Sequence, residues 1–307
     1  MEKRKMENLG IETSLLGFGC MRFPVMADGK IDEAQAERML DIAISKGVNY
    51  IDTAYPYHDG LSEVVVGKIL KKYERSSFYL ATKLPVWLVN TVEDVDRYFE
   101  EQLKKLQVEY IDFYLMHAMN KERWEKMKQI GCVKRLEELK AEGKIKYLGF
   151  SFHDSYEVFE EILCSRNWDF CQIQLNYMDT EEQAGLKGYQ LATDKKIPLV
   201  IMEPVKGGSL AAFSDDIMEH FRQFDREASA ASYALRWVGS RPGVKVILSG
   251  MSTMEQVEDN LKTFDSFKPL SEEEEKAIDK VVRILRSRVQ NGCTGCRYCM
   301  PCPAGVN

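Results

Sequence analysis

The sequence has no run of about 18 apolar residues, the length a membrane-spanning helix requires. Its opening, MEKRKMENLG, has no apolar core for a secretory signal. It also lacks a positive excess: 42 basic residues against 48 acidic ones give a formal charge of −6, which argues against a general nucleic-acid or anionic-membrane surface and leaves room only for local basic pockets. There is no internal repeat, no low-complexity linker and no GxGxxG fingerprint, and the last absence counts against a Rossmann dehydrogenase. What is present is ordinary globular composition, 45% apolar and 29% charged, which excludes a disordered, collagen-like or small disulfide-framework chain. The expected location is the cytosol, where eight cysteines are not expected to pair. Cys20, Cys132, Cys164 and Cys171 are scattered, and the last three read as packing residues. The other four cysteines crowd into the final fifteen residues.

At 307 residues the chain is long for one ordinary domain but normal for an α/β barrel. Eight β-rich runs are expected as strands: Leu15–Cys20, Val48–Thr53, Phe78–Lys83, Ile111–His117, Lys146–Ser151, Phe170–Leu175, Pro198–Glu203 and Val244–Ser249. Several are continuous apolar runs, as suits parallel strands buried on both faces. Helix signals fill the intervals. Ile31–Lys46 has helical apolar spacing and stops at Gly47, and Thr91 with Asp94 marks a capped start for Thr91–Gln107. Near the end, Ser271 with Glu274 forms a capping box, and Glu272–Glu275 sets negative charge on the helix dipole. The stripe Ala277, Ile278, Val281, Val282 and Leu285 packs that helix on the body. The pattern predicts a (β/α)₈ TIM barrel over residues 1–290 followed by a short cysteine-rich tail, 291–307.

Active sites of such barrels gather at the carboxyl ends of the strands. Asp52, Tyr57, Lys83 and His117 all stand at or just after expected strand ends, with Tyr57 five residues beyond Asp52. A phenol with a pKa of about 10 exchanges protons poorly at neutral pH. A lysine cation beside it is expected to lower that value and make Tyr57 a usable general acid or base. Asp52 would hold Lys83 charged, and His117 would bind the substrate oxygen or relay a proton. Each residue alone also has a structural reading: an ion pair, a barrel rim, a satisfied histidine.

The segments LGFGCMRFP, YIDTAYPYHDGLSEVVVGKIL, ATK, YIDFYLMH, GFSFHD, CQIQLNY, IMEPVKGGSL and ILSGMSTMEQVEDNL stand in one order over roughly residues 10–265, and with them the chain resembles the aldo-keto reductase superfamily. The resemblance implies that Asp52, Tyr57, Lys83 and His117 are the catalytic tetrad. It implies reduction of an aldehyde or ketone with NADP(H), with no metal at the carbonyl. Tyr55 and His58 crowd the same loop, but the spacing favours Tyr57. The positions matching cofactor contacts are Gly19, Cys20 and Met21, with Asp52, near the nicotinamide, and Ser151 and Gln172 for its carboxamide. Pro204, Val205, Lys206, Gly207, Gly208 and Leu210 run towards the pyrophosphate, and Ser249, Gly250, Ser252, Gln256 and Asn260 lie near the adenosine phosphate. Cys20 and Met21 read equally as packing, and Lys206 as a solvated loop cation. Strongly phosphate-selective members often carry Lys or Arg where this chain has Gly250 and Gln256, so NAD(H) stays open as the cofactor.

Cys293, Cys296, Cys299 and Cys302 are spaced by three throughout and precede Pro303. The run resembles a ferredoxin motif, for a 4Fe–4S cluster, with zinc or free thiols as alternatives. One branch of the superfamily has a similar tail and then a further ferredoxin-like segment. Because this chain ends five residues after Cys302, the tail reads as the start of a truncated iron–sulfur segment, in which the cluster is either held or absent. Two rival functions follow: an electron-transfer module passing electrons from nicotinamide to the tail and a redox protein partner, and a non-enzymatic nicotinamide-binding regulator. Trp87, Tyr55, Tyr177 and Met178 are expected pocket walls. No nucleic acid or membrane is expected as a partner.

Overall fold

In the computed structural model, which describes residues 1–288, the chain opens with an antiparallel hairpin, β1 (Lys3–Met6) and β2 (Ile11–Ser14). Eight parallel strands follow: β3 (Leu16–Gly19), β4 (Tyr50–Asp52), β5 (Tyr79–Leu84), β6 (Ile111–Met119), β7 (Ile145–Phe152), β8 (Phe170–Gln174), β9 (Leu199–Met202) and β10 (Val244–Gly250). They pair in chain order, and β10 closes the barrel by bonding both β3 and β9. All eight expected strands are present, with ends shifted by at most two residues.

Helices wrap the outside: α1 (Glu33–Ser45), α2 (Ser62–Leu70), α3 (Val92–Leu106), α4 (Lys121–Gln129), α5 (Cys132–Ala141), α6 (Tyr156–Cys164), α7 (Gly185–Asp194), α8 (Asp215–Arg222), α9 (Ala230–Gly239), α10 (Met254–Asp265) and α11 (Glu272–Arg288). Their ends follow the local chemistry. Asp32 caps α1 by accepting from the Gln35 amide at 3.0 Å, and Gly47, at φ +96°, lets the chain leave it. Thr91 and Asp94 form the reciprocal capping box of α3. Ser271 and Glu274 do the same for α11, at 2.8 and 3.2 Å. Glu274 does more than cap: it also grips Arg236 of α9 at 2.7 Å, tying the last helix to the barrel wall. None of the helices among the described residues is long and apolar enough to cross a membrane. Cys20, Cys132 and Cys171 are buried, but Cys164, expected to pack, is exposed at the end of α6.

Inside the barrel, large and small side chains alternate. Phe113 meets Tyr50 and Phe170 edge-on at 4.9 Å each. Gly149 supplies the space: a Cβ there would stand 2.7 Å from the Phe170 ring. The hairpin was not legible in the sequence, because the inward position of Lys3-Arg4-Lys5 is filled by Arg4, which bonds the Gly239 carbonyl at 3.0 Å, and so leaves no apolar alternation. Its one fully buried apolar side chain, Met6, joins the cluster of Tyr50, Phe113, Phe170 and Val246 and closes the floor. Met6→Ala is therefore expected to destabilise the fold by about 2–4 kcal/mol, read as a lower denaturation midpoint with unchanged slope; an unshifted midpoint would show that the plug contributes nothing.

Candidate active site

Strand β4 ends at Asp52, and β5 carries Lys83 one residue before its end. Lys83 is fully buried, and its ammonium has three partners: Asp52 Oδ1 at 2.6 Å, the Thr53 carbonyl at 2.8 Å and the Tyr57 hydroxyl at 3.5 Å. Tyr57 reaches this point because the chain doubles back after β4 through three left-handed residues, His58, Asp59 and Gly60. The turn is pinned at both ends. The Phe23 amide donates to His58 Nε2 at 3.2 Å, while Ser62 bonds Thr53 at 2.9 Å and the Cys20 carbonyl at 3.1 Å. His58 is thus a turn anchor, and Tyr57 is the loop side chain aimed at Lys83. His117, on β6, meets the Tyr57 ring edge-on at 6.0 Å and packs on Trp87 at 5.2 Å. The structure brings all four residues to one mouth.

Their electrostatics depart from the sequence expectation at one point. Burial pushes the Tyr57 phenol above its ordinary value, and the opposing pull of Lys83 does not cancel it. Tyr57 is accordingly a protonated donor at neutral pH, not a lowered-pKa phenol. Lys83 stays charged, since Asp52 and Tyr57 overcome the burial that disfavours its ammonium. Burial, with Lys83, His153 and Arg123 nearby, drives His117 well below the usual imidazole range, so it is neutral. Its Nδ1 is buried without a partner, as is Asp52 Oδ2.

Beside the mouth, a cleft of about 490 Å³ runs between the loop after β9 and the start of α10. Pro204, Val205, Gly207 and Gly208 line one side; Ser249, Gly250, Ser252, Gln256 and Asn260 line the other. Gly19 pairs with Gly250 at its inner end; next to it, Cys20 is buried and Met21 is exposed. Ser151 is buried at the end of β7, where its hydroxyl accepts from the Ala118 amide at 2.7 Å. Gln172 on β8 donates to Met202 Sδ at 3.3 Å, while its Oε1 is buried with no partner. An orphaned amide oxygen there suits a carboxamide N–H, and the hydroxyl, amide and loop N–H groups of the cleft suit a nucleotide, so these residues fit a nicotinamide dinucleotide. A larger hollow, about 870 Å³ among α9, α10 and α11, contains none of the four mouth residues.

Several expected contacts fall elsewhere. Lys206 lies outside the cleft lining, its ammonium held by both oxygens of Asp179 at 2.5 Å. Leu210 is buried in the core. Tyr55 turns to Glu101 at 3.2 Å and to the Tyr98 ring at 5.3 Å, and Tyr177 packs on Trp237, so neither walls the mouth. Trp87 does, while Met178 is half-buried with its carbonyl bonded to Arg286. The cysteine quartet Cys293, Cys296, Cys299 and Cys302, the 290/291 boundary and the iron–sulfur, zinc and redox-partner readings lie outside the described residues. Among the described residues no cluster of His, Cys, Asp or Glu is placed to hold a metal.

Sequence reasoning missed two kinds of residue. Arg22 lines the cleft because Gly250 leaves room for it: a Cβ at Gly250 would stand 2.8 Å from Arg22 Cγ. Glu63, fully buried, accepts from Thr82 and Gln102 at 2.6 Å each, and Gln102 also donates to the Lys83 carbonyl at 3.0 Å. The readable signal for Glu63 was a carboxylate opening the apolar segment SEVVVGKIL.

A parallel barrel that gathers a buried Lys–Asp–Tyr group and a neutral histidine at its C-terminal mouth has the architecture of a barrel enzyme. A model described as the Aldo/keto reductase family matches residues 15–283, and the chain belongs to that family of oxidoreductases. Probable aldo-keto reductase 1 of Glycine max is 34% identical over 155 residues, so that match spans 48% of this chain and 44% of the soybean protein. Uncharacterized oxidoreductase YqkF of Bacillus subtilis (strain 168) is 27% identical over 312 residues, spanning 91% of this chain and 95% of that one. The holo form of aldo-keto reductase AKR11C1 from Bacillus halodurans gives a TM-score of 0.77 at 27% identity, across 92% of this chain and 96% of that chain.

The neutral His117 links the site to stability. Its folded pKa lies below the unfolded value of about 6.5, so below that pH the unfolded chain binds a proton the folded one refuses. Its contribution is complete above about pH 6.5 and is lost as pH falls. Denaturation midpoints at pH 7.5 and 5.5 should therefore drop less in His117→Gln than in the unaltered protein; equal drops would refute a neutral buried imidazole.

Proposed function

We propose that this chain is a cytosolic reductase of small aldehydes or ketones that uses NADP(H), with Tyr57 as the proton donor. The observation that carries the reading is the fully buried Lys83 ammonium in contact with both Asp52 and Tyr57 at the barrel mouth. A nicotinamide, when bound, supplies hydride to the carbonyl carbon. Gly19, Cys20, Met21, Ser151 and Gln172 would lie by its ring, and Gln172 Oε1 would accept from the carboxamide. The Pro204–Gly208 backbone and Ser249, Gly250, Ser252, Gln256 and Asn260 would hold the phosphates and adenosine, with Arg22 taking the place of the cations missing at Gly250 and Gln256.

The chain's own residues handle the proton. Tyr57 Oη donates to the carbonyl oxygen as it gains negative charge, and the resulting phenolate is stabilised by the Lys83 ammonium before it recovers a proton from solvent. Asp52 holds Lys83 in place and charged. His117, neutral, can donate a hydrogen bond to the same oxygen without bringing a competing charge.

Tyr57→Phe removes one hydroxyl and leaves the pocket's shape. It should lower kcat by about 100-fold or more while nicotinamide binding, read by fluorescence quenching, stays unchanged. Near-normal turnover would remove Tyr57 from the mechanism. Arg22→Ala should weaken NADPH about fivefold more than NADH in the same binding assay; equal losses would place Arg22 away from the 2′-phosphate.

A further inference from the structure

Two lysines near the mouth are neutralised at contact: Lys83 by Asp52 at 2.6 Å and Lys206 by Asp179 at 2.5 Å. Arg123 is not. It is the third residue of α4, where Asn120 caps the helix by accepting from the Arg123 amide at 2.8 Å. Just before that cap β6 departs from regular pairing between Met116 and Met119, and Ala118 takes the left-handed conformation at φ +53°. A break in a strand beside a reacting group re-aims the backbone. Here the Ala118 carbonyl, one residue from His117, accepts from the Arg123 guanidinium at 2.5 Å. The guanidinium carbon lies 5.3 Å from the centre of the Trp87 ring, and the His117 ring lies 5.2 Å from the same indole.

Arg123 is half-buried, and no carboxylate among the described residues pairs with it. A guanidinium has five N–H donors in a planar fork, and among the described residues only one is engaged. Its charge reaches the site: with burial and Lys83 ahead of it, it helps keep His117 neutral. A cation left unpaired at an enzyme mouth, its fork free and an aromatic face beside it, matches a planar anion joined to the reacting carbonyl by an apolar spacer.

We infer that the substrate is an oxo acid, an aldehyde or ketone that also bears a carboxylate, which Arg123 binds while the carbonyl oxygen lies against Tyr57 and His117. The inference rests on the reductase reading above. The carboxylate undergoes no bond change; it positions the carbonyl, with the spacer against Trp87.

Two matched pairs test it: butanal against 4-oxobutanoate, and benzaldehyde against 4-carboxybenzaldehyde. In the intact chain, kcat/KM should favour the acid of at least one pair by about tenfold or more, and Arg123→Gln should bring that ratio down by a similar factor through KM. Arg123→Lys, a point charge without the fork, should restore part of it. An acid-to-neutral ratio near one in the intact chain, or one that Arg123→Gln leaves unchanged, overturns the inference. Binding of succinate to the cofactor-free protein, followed by tryptophan fluorescence, gives an answer that needs no turnover. The intact chain should bind it about tenfold more tightly than Arg123→Gln, and equal binding again overturns the assignment. Failure of the reductase reading looks different: no nicotinamide is oxidised with any of the four carbonyls, and Arg123 is then judged on succinate alone.

Discussion

The buried Lys83–Asp52 contact is the constraint on which the site depends. An ammonium with no exposure to solvent is tolerable only if its donors find acceptors, and each of three donors has one: a carboxylate, a backbone carbonyl and a phenol oxygen. Removing Asp52 would strand a charge inside the barrel, at a cost of about 3–5 kcal/mol. Chemistry and folding therefore share one interaction. The residue that touches the Tyr57 hydroxyl is also one the barrel cannot leave unpaired.

A second polar network sits behind the first. Glu63 Oε1 holds Thr82 and Gln102; Gln102 in turn bonds the Lys83 carbonyl and accepts from Tyr114 at 2.6 Å. It fixes the backbone of β5 while Lys83 points into the mouth. Burial raises the Glu63 pKa, and the Thr82 and Gln102 hydrogen bonds oppose that rise without reversing it. Such a network specifies one position for the strand, because a shift would leave the buried Thr82, Gln102 and Tyr114 donors unpaired.

Around this fixed centre the loops divide the labour. The break in β6 and the start of α4 bring Arg123 to Trp87 and the Ala118 carbonyl beside His117, and the small residue at the end of β10 admits Arg22 to the cleft. Both cations arrive from elements other than those that carry Asp52 and Lys83. A barrel can vary them without disturbing the Lys83–Asp52 pair.

The sequence alone determined the architecture, since eight apolar runs separated by capped amphipathic helices have few other ways to bury their faces. It also determined where Asp52, Tyr57, Lys83 and His117 lie along the chain. Tertiary structure decided what those residues are electrically: burial outweighs the Lys83 charge and leaves Tyr57 a protonated donor, and burial depends on neighbours far away in sequence. It also decided that Lys206 pairs with Asp179, that Tyr55 turns towards α3 and that Met6 seals the floor. Arg22 and Arg123 became visible only in three dimensions. A basic residue in a short turn or the first turn of a helix has no periodicity to mark it, and whether it is solvated, paired or aimed into a cleft depends on side chains that only the closed barrel brings beside it.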